Sequence, residues 1–405
     1  MTQVPFSPPR MDQKMTDAVV EVLNSGWITT GPKTKLFEER LAEYTGAPRV
    51  VCFNSATAGL ELALRWFGIG EGDEVILPAY TYSATGNVIL HCGARPVFVD
   101  IGDDFNISLE AIKAAITPRT KAIMPVDIGG WPCDYDGINE LIREPGVRGM
   151  FSPSNEVQET LGRVLLLSDS AHSVGAWYKG KRSGSLADFS AFSFHAVKNL
   201  CTAEGGALTL NLPEPFDNDE IYKQLRIKSL HGQTKDALAK TKAGGWRYDI
   251  VEPGFKCNMT DIQAALGLVE LERYDSDMLA KRKYIFDRYS AGFSSEPWAQ
   301  LPIYESEESK GSYHIFMLRI KDATEGQRDQ IIDAITEKQV AVNVHFQPLP
   351  MFTAYRERGY SIDPYPNAFA QYACEITLPV FYDISDEQID AVIDAVKSAV
   401  QKVMG

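Results

Sequence analysis

Two short stretches hold side chains that could do covalent chemistry together. The first, Val164-Leu-Leu-Leu-Ser-Asp169-Ser-Ala-His172-Ser-Val-Gly175, is an apolar run ending in a carboxylate. The second, Asp188-Phe-Ser-Ala-Phe-Ser193-Phe-His195-Ala-Val-Lys198-Asn-Leu-Cys-Thr-Ala-Glu204-Gly205-Gly206, carries a lysine just beyond another apolar run. If both runs are strands of one open α/β sheet, they end at the same crevice, where ligands of such sheets bind. A lysine there suits a Schiff base with a carbonyl cofactor. A facing carboxylate suits a pyridinium nitrogen, which must keep its proton for the ring to act as an electron sink. Each residue alone is commonplace: a loop lysine is usually a solvated charge, and a strand-end aspartate usually a helix cap. The combination, followed by Gly205-Gly206, carries the argument.

An anion site is the second requirement. Asn54-Ser55-Ala56-Thr57-Ala58-Gly59 lies between a predicted strand (50–53) and a predicted helix (57–67). Free N–H groups at a helix start attract phosphate, although Ser or Thr there is often only a cap. Ser193, five residues before the lysine, offers another hydroxyl. Tyr82, after a predicted strand end, offers a ring for stacking on an aromatic cofactor.

The elements needed to position these groups are legible. Short apolar strands (74–77, 96–100, 121–126, 164–167, 189–194) alternate with helical patterns (84–92, 110–116). Strands apolar throughout belong to a sheet covered on both faces. The predicted fold is therefore α/β, a mostly parallel sheet flanked by helices, with a smaller α+β C-terminal domain. Residues 1–270 are assigned to the large cofactor-binding domain and 271–405 to the small one. Residues 143–163 read as a polar surface insertion, 260–290 as the longest helical pattern, and 313–320 and 340–345 as strands. Ser385 and Gln388 form a capping box for a last helix over 387–403.

Composition narrows the class. With 405 residues, 44% hydrophobic and 23% charged, the chain has the make-up of a globular protein. Its net charge of −14 gives no overall field toward nucleic acid or anionic membrane. Six scattered cysteines without a CxxC pair predict reduced thiols and no zinc ribbon, and no metal site is expected. No signal peptide or membrane span is evident, so a cytoplasmic enzyme is expected. A dinucleotide-binding GxGxxG is missing after the first strand, which disfavours an NAD-linked dehydrogenase.

Taken together, the motifs resemble the nucleotide-sugar aminotransferases of the DegT/StrS type, fold type I pyridoxal phosphate enzymes. The resemblance spans nearly the whole chain. It rests on Ser25-Gly-Trp27-Ile-Thr-Thr-Gly-Pro32, Gly70-Glu-Gly-Asp-Glu-Val-Ile, the Asp169 and Lys198 segments, Gly254-Phe-Lys-Cys-Asn258-Met-Thr-Asp-Ile-Gln-Ala-Ala, and Leu378-Pro-Val-Phe. It implies that Lys198 is the Schiff-base lysine and that Asp169 pairs with the pyridinium nitrogen. It implies that His172 sits by the cofactor's 3-hydroxyl and that Tyr82 stacks on the ring. Ser55, Ala56, Thr57 and Ser193 would hold the phosphate, with Asn258 reaching in from the other subunit of a homodimer with shared sites.

Trp27, Thr29, Thr30, His195 and His345 are candidates for the substrate side. Phe192-Ser-Phe-His195-Ala-Val-Lys198-Asn is similar to the C4-aminating subgroup, such as the 4-amino-4-deoxyarabinose aminotransferase of lipid A modification. The implied reaction is amino transfer from L-glutamate, leaving 2-oxoglutarate, to a 4-keto nucleotide sugar, with pyridoxamine phosphate as the intermediate cofactor form. A UDP-4-keto-6-deoxy-N-acetylhexosamine is the first expectation, and the product would serve surface polysaccharide or lipopolysaccharide synthesis. Alternatives are C3 amination, a UDP-4-keto-pentose substrate, and a non-catalytic cofactor-binding regulator. Relatives that dehydrate sugars carry histidine where this chain has Lys198. Asp127 and Pro350 replace histidines common in the family, and both are expected to lie toward the substrate.

Overall fold

The computed structural model describes residues 2–235 and 247–405. Two helices, α1 (Gln13–Ser25) and α2 (Pro32–Thr45), precede the first strand, β1 (Arg49–Phe53). Helices and strands then alternate: α3 (Ala56–Trp66), β2 (Glu74–Pro78), α4 (Ser83–His91), β3 (Arg95–Val99), α5 (Leu109–Ala115) and β4 (Thr120–Ile123). Three short helices follow, α6 (Tyr135–Leu141), α7 (Pro145–Met150) and α8 (Glu156–Leu161), before β5 (Leu165–Asp169). A small hairpin, β6 (Trp177–Tyr178) and β7 (Lys181–Arg182), leads to β8 (Phe189–Ser193), β9 (Gly206–Leu210) and α9 (Asn218–Ser229).

These strands build a seven-stranded sheet in the order β1-β9-β8-β5-β4-β2-β3. All run in one direction except β9, which is antiparallel to both neighbours. Successive side chains of a strand point to opposite faces, and here both faces are buried. Val75 and Leu77 of β2 enter one apolar cluster while Ile76 enters another. Leu165 and Leu167 of β5 part from Leu166 in the same way. That is why the strand sequences show no polar alternation.

Beyond α10 (Asp261–Glu272) and α11 (Ala280–Phe293), the chain forms β10 (Ala299–Gln300), β11 (Ser309–Lys310), β12 (Phe316–Ile320), α12 (Glu325–Thr336), α13 (Pro366–Cys374), β13 (Glu375–Leu378) and α14 (Asp386–Met404). Strands β10, β12 and β13 pair antiparallel in a second sheet. Its core takes Phe286 and Tyr289 of α11, Ile331 of α12 and Val392 and Val396 of α14. Val4 joins this core from the far end of the chain and pairs with Val340. Phe6 then stacks on His345 with ring centroids 5.7 Å apart, and Arg10 bonds to Asp277 at 2.6 Å.

Two expectations need correction and one needs detail. Residues 143–163 do lie largely at the surface, but as two short helices, α7 and α8, and Gln158 among them is fully buried, donating to Phe67 O at 3.0 Å. Residues 260–290 are not one helix. A wider π turn over Tyr274–Leu279 separates α10 from α11 and re-aims the chain. Residues 340–345 form no strand, only isolated bridges from Val340 to Val4 and from Asn343 to Thr377. The last helix does start at the Ser385/Gln388 capping box. Among the described residues no helix is long and apolar enough to cross a membrane.

Candidate active site

The parallel strands of the large sheet end along one edge. There β5 delivers Asp169, β8 delivers Ser193, and β1 hands the chain to α3. Strand β9, running the other way, starts at that edge, with Gly206 in register with Phe53 and Ser193. A Cβ on Gly206 would lie 2.2 Å from the Ala56 nitrogen, so only glycine lets β9 approach the start of α3 this closely. Ser55 caps α3 by accepting from Ala58 N–H at 3.1 Å. The N–H groups of Ala56 and Thr57, at the first turn, have no intrahelical acceptor.

These pieces border a cavity of about 370 Å³. Ser55, Ala56, Thr57 and Ser193 line it, as do Asp169, His172 and Lys198. Tyr82, His195 and His345 line it too. Asp169 is 4% exposed. Its carboxylate accepts from Thr85 O–H at 2.7 Å and Ala171 N–H at 3.2 Å. Burial pushes its carboxyl up from the usual range, and Thr85, Ala171 and the Lys198 charge pull it back. Burial also lowers Lys198, to about 8, against the opposing pull of Asp169. Near neutrality a useful fraction of that amine is therefore unprotonated and nucleophilic.

His172 packs on His314 at 4.4 Å and lies flat against Phe346 at 5.8 Å. Its Nδ1 accepts from Gly129 N–H at 3.3 Å, so the neutral ring carries its proton on Nε2. Desolvation, aided by the Lys198 charge, lowers its pKa and keeps it neutral. His195 stands at the half-exposed rim, 3.6 Å from Glu204. Tyr82 is 61% exposed and tilts against Phe346 at 5.9 Å.

Four predicted residues lie elsewhere. Asn258 donates to Thr30 Oγ1 at 2.5 Å, and that hydroxyl donates to Met259 O. Trp27 Nε1 donates to Thr30 O at 3.2 Å, and Thr29 O accepts from Asp261 N–H. Thr30 and Asn258 border a separate hollow with Lys35, Tyr222 and Arg226. None of the four lines the Lys198 cavity of their own chain.

The expectation for Asp127 and Pro350 is corrected: neither lines the cavity. Asp127 is fully buried and accepts from Ser173 O–H at 2.6 Å, Tyr135 O–H at 2.8 Å and Cys133 N–H at 3.0 Å. It secures the loop that carries His172 instead of facing a ligand. Pro350 is buried in a short 3-10 turn whose Leu349 N–H is held by Ala79 O.

Sequence reasoning missed several residues that complete the site. Thr85, inside the first turn of α4, gave no signal. His314 lies just ahead of β12, and its Nδ1 is 2.8 Å from Asn199 Oδ1. Asn199, next to Lys198, also donates to Ser312 O at 2.7 Å. Buried Arg282 of α11 donates to the carbonyls of Tyr313 and His314. The lysine loop is thus anchored to the C-terminal half of the chain.

Residues 9–151 and 154–397 match the model of the DegT/DnrJ/EryC1/StrS aminotransferase family. The chain is 38% identical over 403 residues to the spore coat polysaccharide biosynthesis protein SpsC of Bacillus subtilis, covering 98% of this chain and 97% of that one. Among solved structures it superposes on Spr1654 of Streptococcus pneumoniae, assigned as a sugar aminotransferase, in its PMP form. That match has a TM-score of 0.95 and 48% identity, over 99% of this chain and 100% of the other. PseC of Helicobacter pylori, an aminotransferase involved in the biosynthesis of pseudoaminic acid, matches with a TM-score of 0.87 at 28% identity, over 99% and 100% of the two chains. The Spr1654 protein is also known in a PLP form. The cavity here fits that cofactor: a desolvated amine, a buried carboxylate and an anion-attracting helix start border one space. The chain belongs to the DegT/DnrJ/EryC1/StrS family of sugar aminotransferases, and its cofactor is pyridoxal phosphate.

Proposed function

We propose that the enzyme transfers an amino group from L-glutamate to C4 of a keto nucleotide sugar, most simply a UDP-4-keto-6-deoxy-N-acetylhexosamine. The product would be a 4-amino sugar nucleotide for a surface polysaccharide. The carrying observation is the single cavity bordered by both Lys198 and Asp169, with the start of α3 and Ser193 beside them. The link of SpsC to coat polysaccharide and of PseC to pseudoaminic acid supports a glycan role.

Bound pyridoxal phosphate supplies an aldehyde that captures amines and a ring that accepts electrons. Lys198 would hold the aldehyde at rest. Its freed amine would take the proton from the donor Cα, and in the sugar half would deliver a proton to the carbon that gains nitrogen. Burial keeps that amine partly neutral, which a proton acceptor requires. Asp169 would face the ring nitrogen and hold its proton in place, with Thr85 fixing the carboxylate's direction. Ala56, Thr57 and Ser193 would take the phosphate. His172 would offer Nε2–H to the cofactor's 3-oxygen, and Tyr82 would cover the ring.

In this reading the enzyme is a homodimer, and Asn258 and Thr30 complete the partner's site, since they do not border their own. Residues 1–270 then act as the cofactor domain and 271–405 as the small domain, with the segment around Phe6 crossing between them. The test is to incubate the holoenzyme with L-glutamate and a panel of UDP- and dTDP-keto sugars. Mass spectrometry should detect the amine and 2-oxoglutarate, and NMR should place nitrogen at C4. Nitrogen at C3, or no amine from any sugar, overturns the proposal.

A further inference from the structure

A buried carboxylate outside the predicted site touches one wall of the cavity. Glu375 opens β13 and has no exposed surface, while Ile376 and Leu378 of the same strand are core residues. Its Oε2 accepts from His345 N–H at 3.0 Å. Its Oε1 accepts from Thr377 O–H at 2.5 Å. Thr377 Oγ1 in turn lies 3.1 Å from Nδ1 of His345, a ring that lines the cavity.

A hydroxyl has one proton to give. While Glu375 is ionised, it takes that proton, and Thr377 can only accept from His345. The neutral ring then carries its proton on Nδ1, leaving Nε2 a bare acceptor. When Glu375 gains a proton, Oε1–H donates to Thr377, and the threonine O–H turns toward Nδ1. His345 gives up its Nδ1 proton to solvent and takes one on Nε2, so its charge is unchanged while Nε2 becomes a donor. We propose that Glu375, acting through Thr377, selects the tautomer of His345 and so decides whether that wall accepts or donates a hydrogen bond to the bound sugar. Glu375 is then a positioning residue for the sugar half of the reaction, an inference that rests on the reading given above.

The charges around the relay allow both states. Arg319, its register partner on β12, and Arg328 on α12 favour the carboxylate. Tyr80, whose O–H donates to His345 O, and Cys374 at the end of α13 are the other titratable neighbours of Glu375, while His172, His314 and Lys198 face His345. Burial outweighs the two arginines and pushes Glu375 up to about 8. His345 is lowered to about 4, by burial and by Lys198, and stays neutral throughout.

The relay can be read without any sugar. Holoenzyme labelled with ¹⁵N-histidine has six histidines to resolve, and His345→Gln identifies the resonances of position 345. In the wild type, the proton should sit on Nε2 on the acid side of about pH 8 and on Nδ1 on the alkaline side. In Glu375→Gln the amide oxygen accepts from His345 N–H and the NH₂ donates to Thr377, locking the Nε2–H form at every pH. Thr377→Val should abolish the pH response, and Thr377→Ser should restore it. With a sugar that the enzyme aminates, Glu375→Gln should also lose the alkaline limb of kcat/KM, a change of about tenfold for one reversed hydrogen bond. Identical His345 tautomers in wild type and Glu375→Gln across neutral and alkaline pH would falsify the relay, as would a wild-type pH response in Thr377→Val. Failure of every keto sugar to accept nitrogen would remove the substrate reading and leave the NMR result standing.

Discussion

The edge of the large sheet and the C-terminal part of the chain wall the same cavity in different ways. On the large sheet, each chemical group follows directly on a buried strand: Asp169 ends β5, Ser193 ends β8, and Ser55 to Thr57 follow β1. Few residues separate a strand from its functional side chain, so position is set by the sheet's own hydrogen bonding. The other wall is assembled over long chain distances. His345 is held by Glu375 and Thr377 from β13 and by Phe6 from near the start, while His314 is held by Asn199 and Arg282. The first wall presents groups suited to the cofactor, and the second presents neutral histidines and aromatic rings. Chemistry common to a family can sit on the rigid edge while the long-range wall is altered to fit another substrate.

Substitutions can break or sharpen this contrast. The largest effect is expected on the sheet edge. Lys198→Ala should lower amino transfer beyond the ~10⁴-fold typical of a lost general base, while equilibrium dialysis still detects bound cofactor. Asp169→Asn should cost about 10² to 10³ in rate, as for other lost electrostatic partners; a change under about twofold would remove Asp169 from its assigned place. Thr85→Val deletes one buried hydrogen bond to that carboxylate, and about a tenfold loss in kcat is expected. Asn258→Ala should weaken cofactor retention by several-fold, about 1 kcal/mol for one hydrogen bond. If Asn258 serves the partner's site, mixing it with the Lys198→Ala variant should yield hybrids with one intact site. The smallest change is a displaced pH profile. In cofactor-free enzyme, capture of added pyridoxal phosphate requires neutral Lys198, so its rate should rise with pH through about 8. Because Asp169 favours the charged amine, Asp169→Asn should move that rise to lower pH.

Glu375 also makes a prediction about stability. Its folded pKa, about 8, is raised above the ordinary glutamate value of 4.5. The folded state therefore holds this proton more tightly than the unfolded chain does. Its contribution is full below about pH 4.5 and is lost as pH rises through about 8. Thermal unfolding of Glu375→Gln should show a flatter decline over that range than the wild type.

How much could be read in advance follows the same division. Strand β5 was legible because a strand buried on both faces must be apolar throughout, and the polar residue that ends it stands out. Asp127 misleads because the family resemblance sets it where relatives often carry histidine, and so toward the substrate. Three donors from Ser173, Tyr135 and Cys133 satisfy it inside the protein, and those partners are spread over the sequence. Residues 340–345 misled because Val340, Val342 and Val344 alternate as in a strand, yet only single bridges form there. Glu375 sat unnoticed because nothing local distinguishes a buried glutamate from a solvated one; its partners lie on other segments. Trp27, Thr29 and Thr30 were recognised as a motif, but their placement against Asn258 to Asp261 depends on how α10 docks on α2.

The segment from Val4 to Arg10 is stitched to the C-terminal core at one end and to Asp277 at the other, with Phe6 and Ser7 against the cavity between. It lies as a belt along the wall that carries His345, on the side proposed above for the sugar. Trimming by a protease up to Gln13 should therefore spare the yellow colour of the enzyme while blurring its choice among sugars. Any fusion or tag that pulls on this belt would disturb selectivity before it disturbed chemistry.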